Sequence, residues 1–285
     1  MDKQVILCAD GTCDIGPELE RRFDVHFYNY RIQLGGKSYV DKLEISSDEI
    51  FDAWRSKKIF PKTSAISPGD YSKFFTEWTE QGCEVVHINL GSGISAAHQN
   101  CLIAAGELGR VYPVDSCSLS SGSGLLVAKA GEMIESGMTA ADIQSELLRL
   151  RQKVHASFVL DTLEFMAAGG RCNAVTVMGA NLLRLKPQIR VSCDKAGGMS
   201  VGRKYRGPME RVLKEYVREQ LEGQEGLDLS RLFITSAGAP KEHLDLVEEE
   251  VKRYQSFAAI HRTVASGTIA CHCGPGTIGI LFMER

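Results

Sequence analysis

The chain has 285 residues, long enough for two compact cores rather than one. Its 33 basic and 36 acidic residues leave a net charge of −3, which argues against a polyanion-binding surface, and its 44% hydrophobic content is that of an ordinary globular protein. No apolar run approaches the ~20 residues of a membrane span, and M-D-K-Q-V-I-L-C-A-D turns polar too early for a signal peptide, so a cytoplasmic protein with no nucleic-acid partner is expected.

Val5 to Ala9 reads as a fully buried strand of the parallel kind, ended by Asp10. Ligand sites in open α/β sheets gather at such carboxyl ends, which makes Asp10 and Asp14 candidates. Both equally suit a turn in which a carboxylate accepts local amide hydrogens, the role favoured for Asp14. A short helix follows over Pro17 to Phe23. Val25 to Leu34 reads as one strand, returned by Gly35-Gly36-Lys37 as a hairpin through Ser38-Tyr39-Val40. Ser46 and Glu49 form a capping box that opens a helix to about Lys57. The stretch F-P-K-T-S-A-I-S-P-G reads as a loop in which Thr63 and Ser64 have no evident structural task. Ser67 caps the next helix with Pro68 in its first turn, and Tyr71, Phe74, Phe75 and Trp78 form a core-facing stripe.

Val85 to Leu90 is another buried strand, and it runs into G-S-G-I-S-A-A. Gly91, Gly93 and Ala96 match G-x-G-x-x-A, and Asp115 closes the next strand, as in a dinucleotide fingerprint. That pattern admits a nicotinamide-dependent oxidoreductase. The simpler reading, a tight strand-to-helix turn, is favoured because the fingerprint normally occupies the first βα unit and Asp115 opens a loop of its own. Either way, the helix N-terminus near Ser95 suits an anionic group.

Thr139 caps a long helix that ends a first domain, residues 1–155, and residues 156–285 form a second. There Ser157 to Leu160 is a strand and Asp161 to Ala168 a short helix closed by Gly169-Gly170, with Arg171 just beyond. Asn173 to Leu185 reads as helix, and Pro187 begins a strand that Ala196-Gly197-Gly198 turns into a hairpin. Helices over Pro208 to Leu221 and Pro240 to Tyr254 alternate with strands at Leu232 to Ser236, Phe257 to Val264 and Gly279 to Met283. The expected fold is α/β: a three-layer α/β/α parallel-sheet domain, then a two-layer domain with a mixed sheet.

Thr268 to Cys271 reads as a strand that stops at His272, where Gly274-Pro275-Gly276 holds the imidazole on a rigid loop. It there faces a ligand or merely caps the strand. Nine cysteines, an odd number, argue against a disulfide framework. Cys271-His272-Cys273 makes a poor zinc site, because adjacent strand residues point to opposite faces and no C-x-x-C pair adds ligands. No cofactor is expected.

These pieces in this order resemble the DegV family of bacterial fatty-acid-binding proteins. The resemblance spans essentially the whole chain. It is carried by A-D-G-T-C-D, T-S-A-I-S-P at 63 to 68, the serine turn at 91 to 97, D-T-L-E-F-M-A-A-G-G-R at 161 to 171, K-P-Q-I and C-H-C-G-P-G. It implies a non-catalytic carrier that encloses a long-chain fatty acid between two domains, presents the carboxylate to a separate fatty-acid kinase and then carries the acyl phosphate. Carried over residue by residue, Thr63 with Ser64, Ser95, the Ala96 amide and His272 would hold the carboxylate, while Arg171 and Arg206 would face the cleft mouth or the kinase. A tail of about fifteen methylenes (a C14 to C18 acid) at ~0.8 kcal/mol each is worth on the order of 12 kcal/mol, so an enclosed apolar tunnel matters more than a strong head-group clamp. Two departures from the family pattern lie beside the ligand: alanine at 96 for glycine, and Ala65-Ile66 within T-S-A-I-S. A dihydroxyacetone-kinase-like phosphotransferase subunit, with His272 holding a hydroxyketone, is a further alternative by architecture alone.

Overall fold

The computed structural model describes residues 4–171, 185–194 and 198–285. The first half of the chain gives β1 (Val5–Asp10), α1 (Pro17–Arg22), β2 (His26–Tyr28), β3 (Arg31–Leu34), β4 (Lys37–Val40), α2 (Ser47–Lys57), β5 (Lys62–Ser64), α3 (Pro68–Thr79), β6 (Glu84–Asn89), α4 (Ala97–Leu108), β7 (Val111–Asp115), α5 (Ser120–Glu135) and α6 (Ala140–Leu150). The second gives β8 (Val154–Val159), α7 (Glu164–Gly169), β9 (Leu185–Val191), β10 (Met199–Arg206), α8 (Met209–Leu221), β11 (Leu227–Ala237), α9 (Lys241–Tyr254), β12 (Ile260–Val264), α10 (Gly267–Cys273) and β13 (Thr277–Glu284). Apart from Leu185, which opens β9, the helix expected over 173–185 lies outside the described residues, as does most of the turn at 196–198.

A four-stranded parallel sheet runs in the order β2-β1-β6-β7. Its central strands are apolar on both faces because helices cover both: α3 packs with α4, and α5 with α6. The second sheet is mixed and six-stranded, β10-β9-β8-β13-β11-β12, with β11 and β12 parallel and the other pairs antiparallel. The amphipathic helices α8 and α9 pack together, and their apolar stripes form a separate core with β11 and β13. This is the expected α/β architecture, a parallel sheet followed by a mixed one.

Local signals hold where the chemistry is local. Ser46 and Glu49 make both halves of a capping box on α2, and Ser67 and Thr139 accept the amides of Asp70 and Asp142 at the starts of α3 and α6.

Four expectations are corrected. The single strand over Val25 to Leu34 is two, because the chain leaves the parallel sheet after Tyr28 and joins a third sheet, β4-β3-β5, through β3. The loop containing Thr63 and Ser64 is β5 of that sheet, with Ile32 opposite Thr63. Asp14 is no turn former: its carboxylate accepts from the Ser120 hydroxyl at 2.6 Å and the Ser266 amide at 3.1 Å, with Lys42 at 3.3 Å.

The fourth correction concerns His272. The run from Thr268 to Cys271 is helix, not strand. Its β-branched residues suggest extension, but Asp41 decides otherwise. That buried carboxylate accepts the Gly267 amide at 2.9 Å, the Thr268 amide at 2.7 Å and the Thr268 hydroxyl at 2.6 Å, which satisfies the exposed donors of a helix start. The strand-alternation argument about Cys271 and Cys273 therefore does not apply. Among the described residues, no group of three or more His, Cys, Asp and Glu is placed to hold a metal ion.

Candidate functional site

A cavity of about 400 Å³ lies between the parallel sheet's loops and one face of the mixed sheet. Strand pairing sets Thr277, Gly279 and Leu281 of β13 beside Ala237, Thr235 and Phe233 of β11. Thr277, Gly279, Leu281, Ala237 and Thr235 line the cavity, while the other wall comes from β5, the turn before α4 and the start of α5. α10 crosses one end and packs against α2 and α7, which places its imidazole at the junction of both halves.

Thr63, Ser64, Ser95, Ala96, Arg171 and His272 all border this cavity. Thr63 Oγ1 is 2.8 Å from His272 Nε2, a contact between residues 209 positions apart. Burial, with a smaller push from the Arg171 guanidinium, lowers the His272 pKa to about 4, so the ring is neutral at pH 7. With Nε2 carrying the proton, His272 donates to Thr63 and leaves the threonine hydroxyl free to donate into the cavity. Nδ1 is buried and has no hydrogen-bond partner among the described residues. A Cβ on Gly169 would stand 2.2 Å from Nδ1, so only glycine admits the ring there.

Ser95 Oγ accepts the Ala97 amide at 3.2 Å, which fixes the hydroxyl at the N-terminus of α4 beside the Ala96 backbone. Arg171 is exposed at the rim and donates to the Gly169 carbonyl at 2.7 Å. Arg206 is not brought to the cavity; it is exposed on β10, the edge strand of the mixed sheet.

The wall is rich in serine and threonine, yet most of these hydroxyls point their protons into the protein. Ser120 donates to Asp14 at 2.6 Å, Thr268 to Asp41 at 2.6 Å, Thr277 to the Cys273 carbonyl at 2.9 Å and Thr235 to Ser121 at 2.7 Å. What remains is an apolar surface contributed by Leu119, Phe158, Met166, Met199, Ile269 and Leu281. Among the described residues no carboxylate borders the cavity; Asp10, Asp14 and Asp41 are sealed behind it. The arrangement suits a molecule with a long apolar body and one acceptor-rich, anionic end.

Sequence reasoning missed Tyr30, Asp41 and the apolar wall. Tyr30 falls at the break between β2 and β3, and Asp41 follows a hairpin strand. Neither carries a local signature, because their partners lie far along the chain.

The turn that resembles a dinucleotide fingerprint has another task. Asp115 accepts the Ser92 amide at 3.0 Å, the Ser92 hydroxyl at 2.6 Å and the Cys117 amide at 3.0 Å, so the carboxylate that a ribose would need is occupied within its own loops. A Cβ on Gly91 would meet the Ser118 backbone at 2.9 to 3.0 Å, so that glycine serves close packing of two turns.

A structure described as fatty acid binding of a DegV family protein from Thermus thermophilus superposes with a TM-score of 0.87 at 29% identity, covering 99% of this chain and 100% of that one. A DegV domain-containing protein of Clostridium perfringens is 26% identical over the full length of both chains. The fatty acid kinase (Fak) B3 protein of Streptococcus pneumoniae, solved loaded with linoleic acid, shares the fold with a TM-score of 0.81 at 16% identity, covering 99% and 100% of the two chains. No helix among the described residues is long and apolar enough to cross a membrane. The family model for DegV matches residues 4–285, and the chain belongs to the DegV family.

Proposed function

We propose that this protein is a carrier that encloses a long-chain fatty acid and offers its carboxylate to a separate fatty-acid kinase, afterwards holding the acyl phosphate. The two halves, residues 1–155 and 156–285, act as lobes that close around the acid. Thr63, Ser64, Ser95, the Ala96 amide and His272 hold the carboxylate, Arg171 guards the rim, and Arg206 contributes to the kinase-facing surface.

The observation that carries this reading is the Thr63–His272 pair at 2.8 Å, set at the edge of a cavity most of whose wall hydroxyls are turned away. Three hydroxyls and a backbone amide, with a neutral imidazole orienting Thr63, stabilise a carboxylate without the charge of a bidentate arginine. The bound oxygen therefore stays nucleophilic, as transfer of a phosphoryl group onto it requires. Burial of about fifteen methylenes, on the order of 12 kcal/mol before ordering costs, supplies the affinity.

Denaturing the gently purified protein and measuring released acids by mass spectrometry tests the reading. About one long-chain acid per chain, of roughly C14 to C18, is expected. Recovery of none, together with no uptake of added palmitate or oleate, would refute it. Phosphorylation of the loaded acid by a cognate kinase, lost on Thr63→Ala or His272→Ala, tests the partner separately.

A further inference from the structure

Behind the cavity wall lies a carboxylate with no place in the reading above. Asp10 ends β1, is fully buried and does not border the cavity. It accepts the Leu90 amide at 2.8 Å and the Tyr30 hydroxyl at 3.1 Å on one oxygen, and the Tyr71 hydroxyl at 2.6 Å on the other, where His87 Nε2 also lies at 3.0 Å. Four partners around one isolated carboxylate make a rigid node.

Two of them are cavity residues. Leu90 is the last residue before the turn that carries Ser95 and Ala96, and its amide is held by Asp10. Tyr30 is nearly inaccessible and borders the cavity, as Ser95 does. Burial and the adjacent Asp10 push the Tyr30 pKa well up, so the phenol keeps its proton and directs it at Asp10. Toward the cavity it then shows only lone pairs. Ser95 is held by the Ala97 amide donating to its oxygen, in a turn that starts directly after Leu90, whose amide Asp10 fixes.

We propose that Asp10 is a positioning residue for the head-group pocket. It fixes Ser95 and the Ala96 amide through Leu90 and Tyr30, and so sets the preference of the site for a carboxylate over a neutral group on the same tail. The inference rests on the fatty-acid reading and deepens it. It separates two functions that share one cavity: the apolar wall holds any long tail, and the braced turn recognises the acid.

The test compares binding of palmitate and of hexadecanol to delipidated protein by competition with a fluorescent fatty acid. Wild type should prefer the acid. Asp10→Asn, which keeps the shape and removes the charge, should weaken palmitate binding about fivefold and leave hexadecanol within about twofold. Tyr30→Phe should reproduce a smaller loss for the acid alone, and the double variant should be no worse than Asp10→Asn, since the aspartate acts in part through the tyrosine. Equal losses for acid and alcohol would overturn the proposal, because they would mean a merely structural role. So would unchanged palmitate binding in both single variants; if Asp10→Asn fails to fold, Tyr30→Phe alone decides by the same comparison. Wild type binding neither ligand would instead bring down the fatty-acid reading itself.

Discussion

Two clusters of hydroxyls, one at the cavity's edge and one meeting its wall through Thr235, do opposite things. At one end, Thr63 meets a neutral imidazole that can donate to it, which frees the threonine proton for a ligand. On the wall, Ser121, Thr235 and Thr263 form a closed triangle at 2.7 to 2.9 Å, joining α5 to β11 and β12. Every oxygen there is already partnered, so Thr235 presents little but its methyl group to the cavity. Polarity of a pocket is therefore set by where protons point, not by how many serines and threonines surround it. An open pair leaves a donor for a ligand; a closed triangle ties α5 to β11 and β12 and leaves the wall apolar.

The contrast breaks most severely at Asp41, which holds the helix carrying the open pair. Asp41→Ala leaves two amides and a hydroxyl buried without partners and should cost about 3 kcal/mol or more in urea unfolding, with fatty-acid binding lost as α10 frays. Next is acidity. His272 has its pKa depressed to about 4 from an ordinary 6.5, so the unfolded chain binds the extra proton first. Its contribution is fully present above pH 6.5, declines as the pH falls toward about 4 and is flat below that, about 3 kcal/mol in all. Stability measured across that window should fall less steeply with acid in His272→Gln than in wild type; parallel curves would refute the depressed pKa.

Thr63→Val keeps the shape and removes the open hydroxyl. Palmitate affinity should drop between about tenfold and a hundredfold with little change in unfolding midpoint. The smallest effect belongs to the closed triangle. Thr235→Val should cost about 1 kcal/mol of stability and leave palmitate affinity within about twofold. A large affinity loss there would erase the distinction between the two clusters.

Much of this was legible in the sequence where the cause is local. The capping box at Ser46 and Glu49, the proline-led start of α3 and its aromatic stripe, and the apolar strands β1 and β6 all follow from neighbours within one or two turns. Motif resemblance gathered Thr63, Ser64, Ser95, Ala96, Arg171 and His272 around one cavity; Arg206, expected at the cleft mouth or facing the kinase, is exposed on the edge strand β10 and does not line it. What sequence reasoning could not see is governed by distant partners. Thr268 to Cys271 looks extended until Asp41, 227 positions away, satisfies the start of its helix. Tyr30 looks like mid-strand until its hydroxyl reaches Asp10. The cavity's apolar character was hidden for the same reason, since a serine in a sequence does not disclose its acceptor.

The most direct measurement follows palmitate carrying 13C at its carboxyl carbon as it is added to delipidated protein. One saturable carboxyl resonance, complete at one acid per chain and displaced in Thr63→Val, is the predicted result. A resonance that never saturates, or one indifferent to residue 63, would contradict the assignment of the acid's head group to the Thr63–His272 pair.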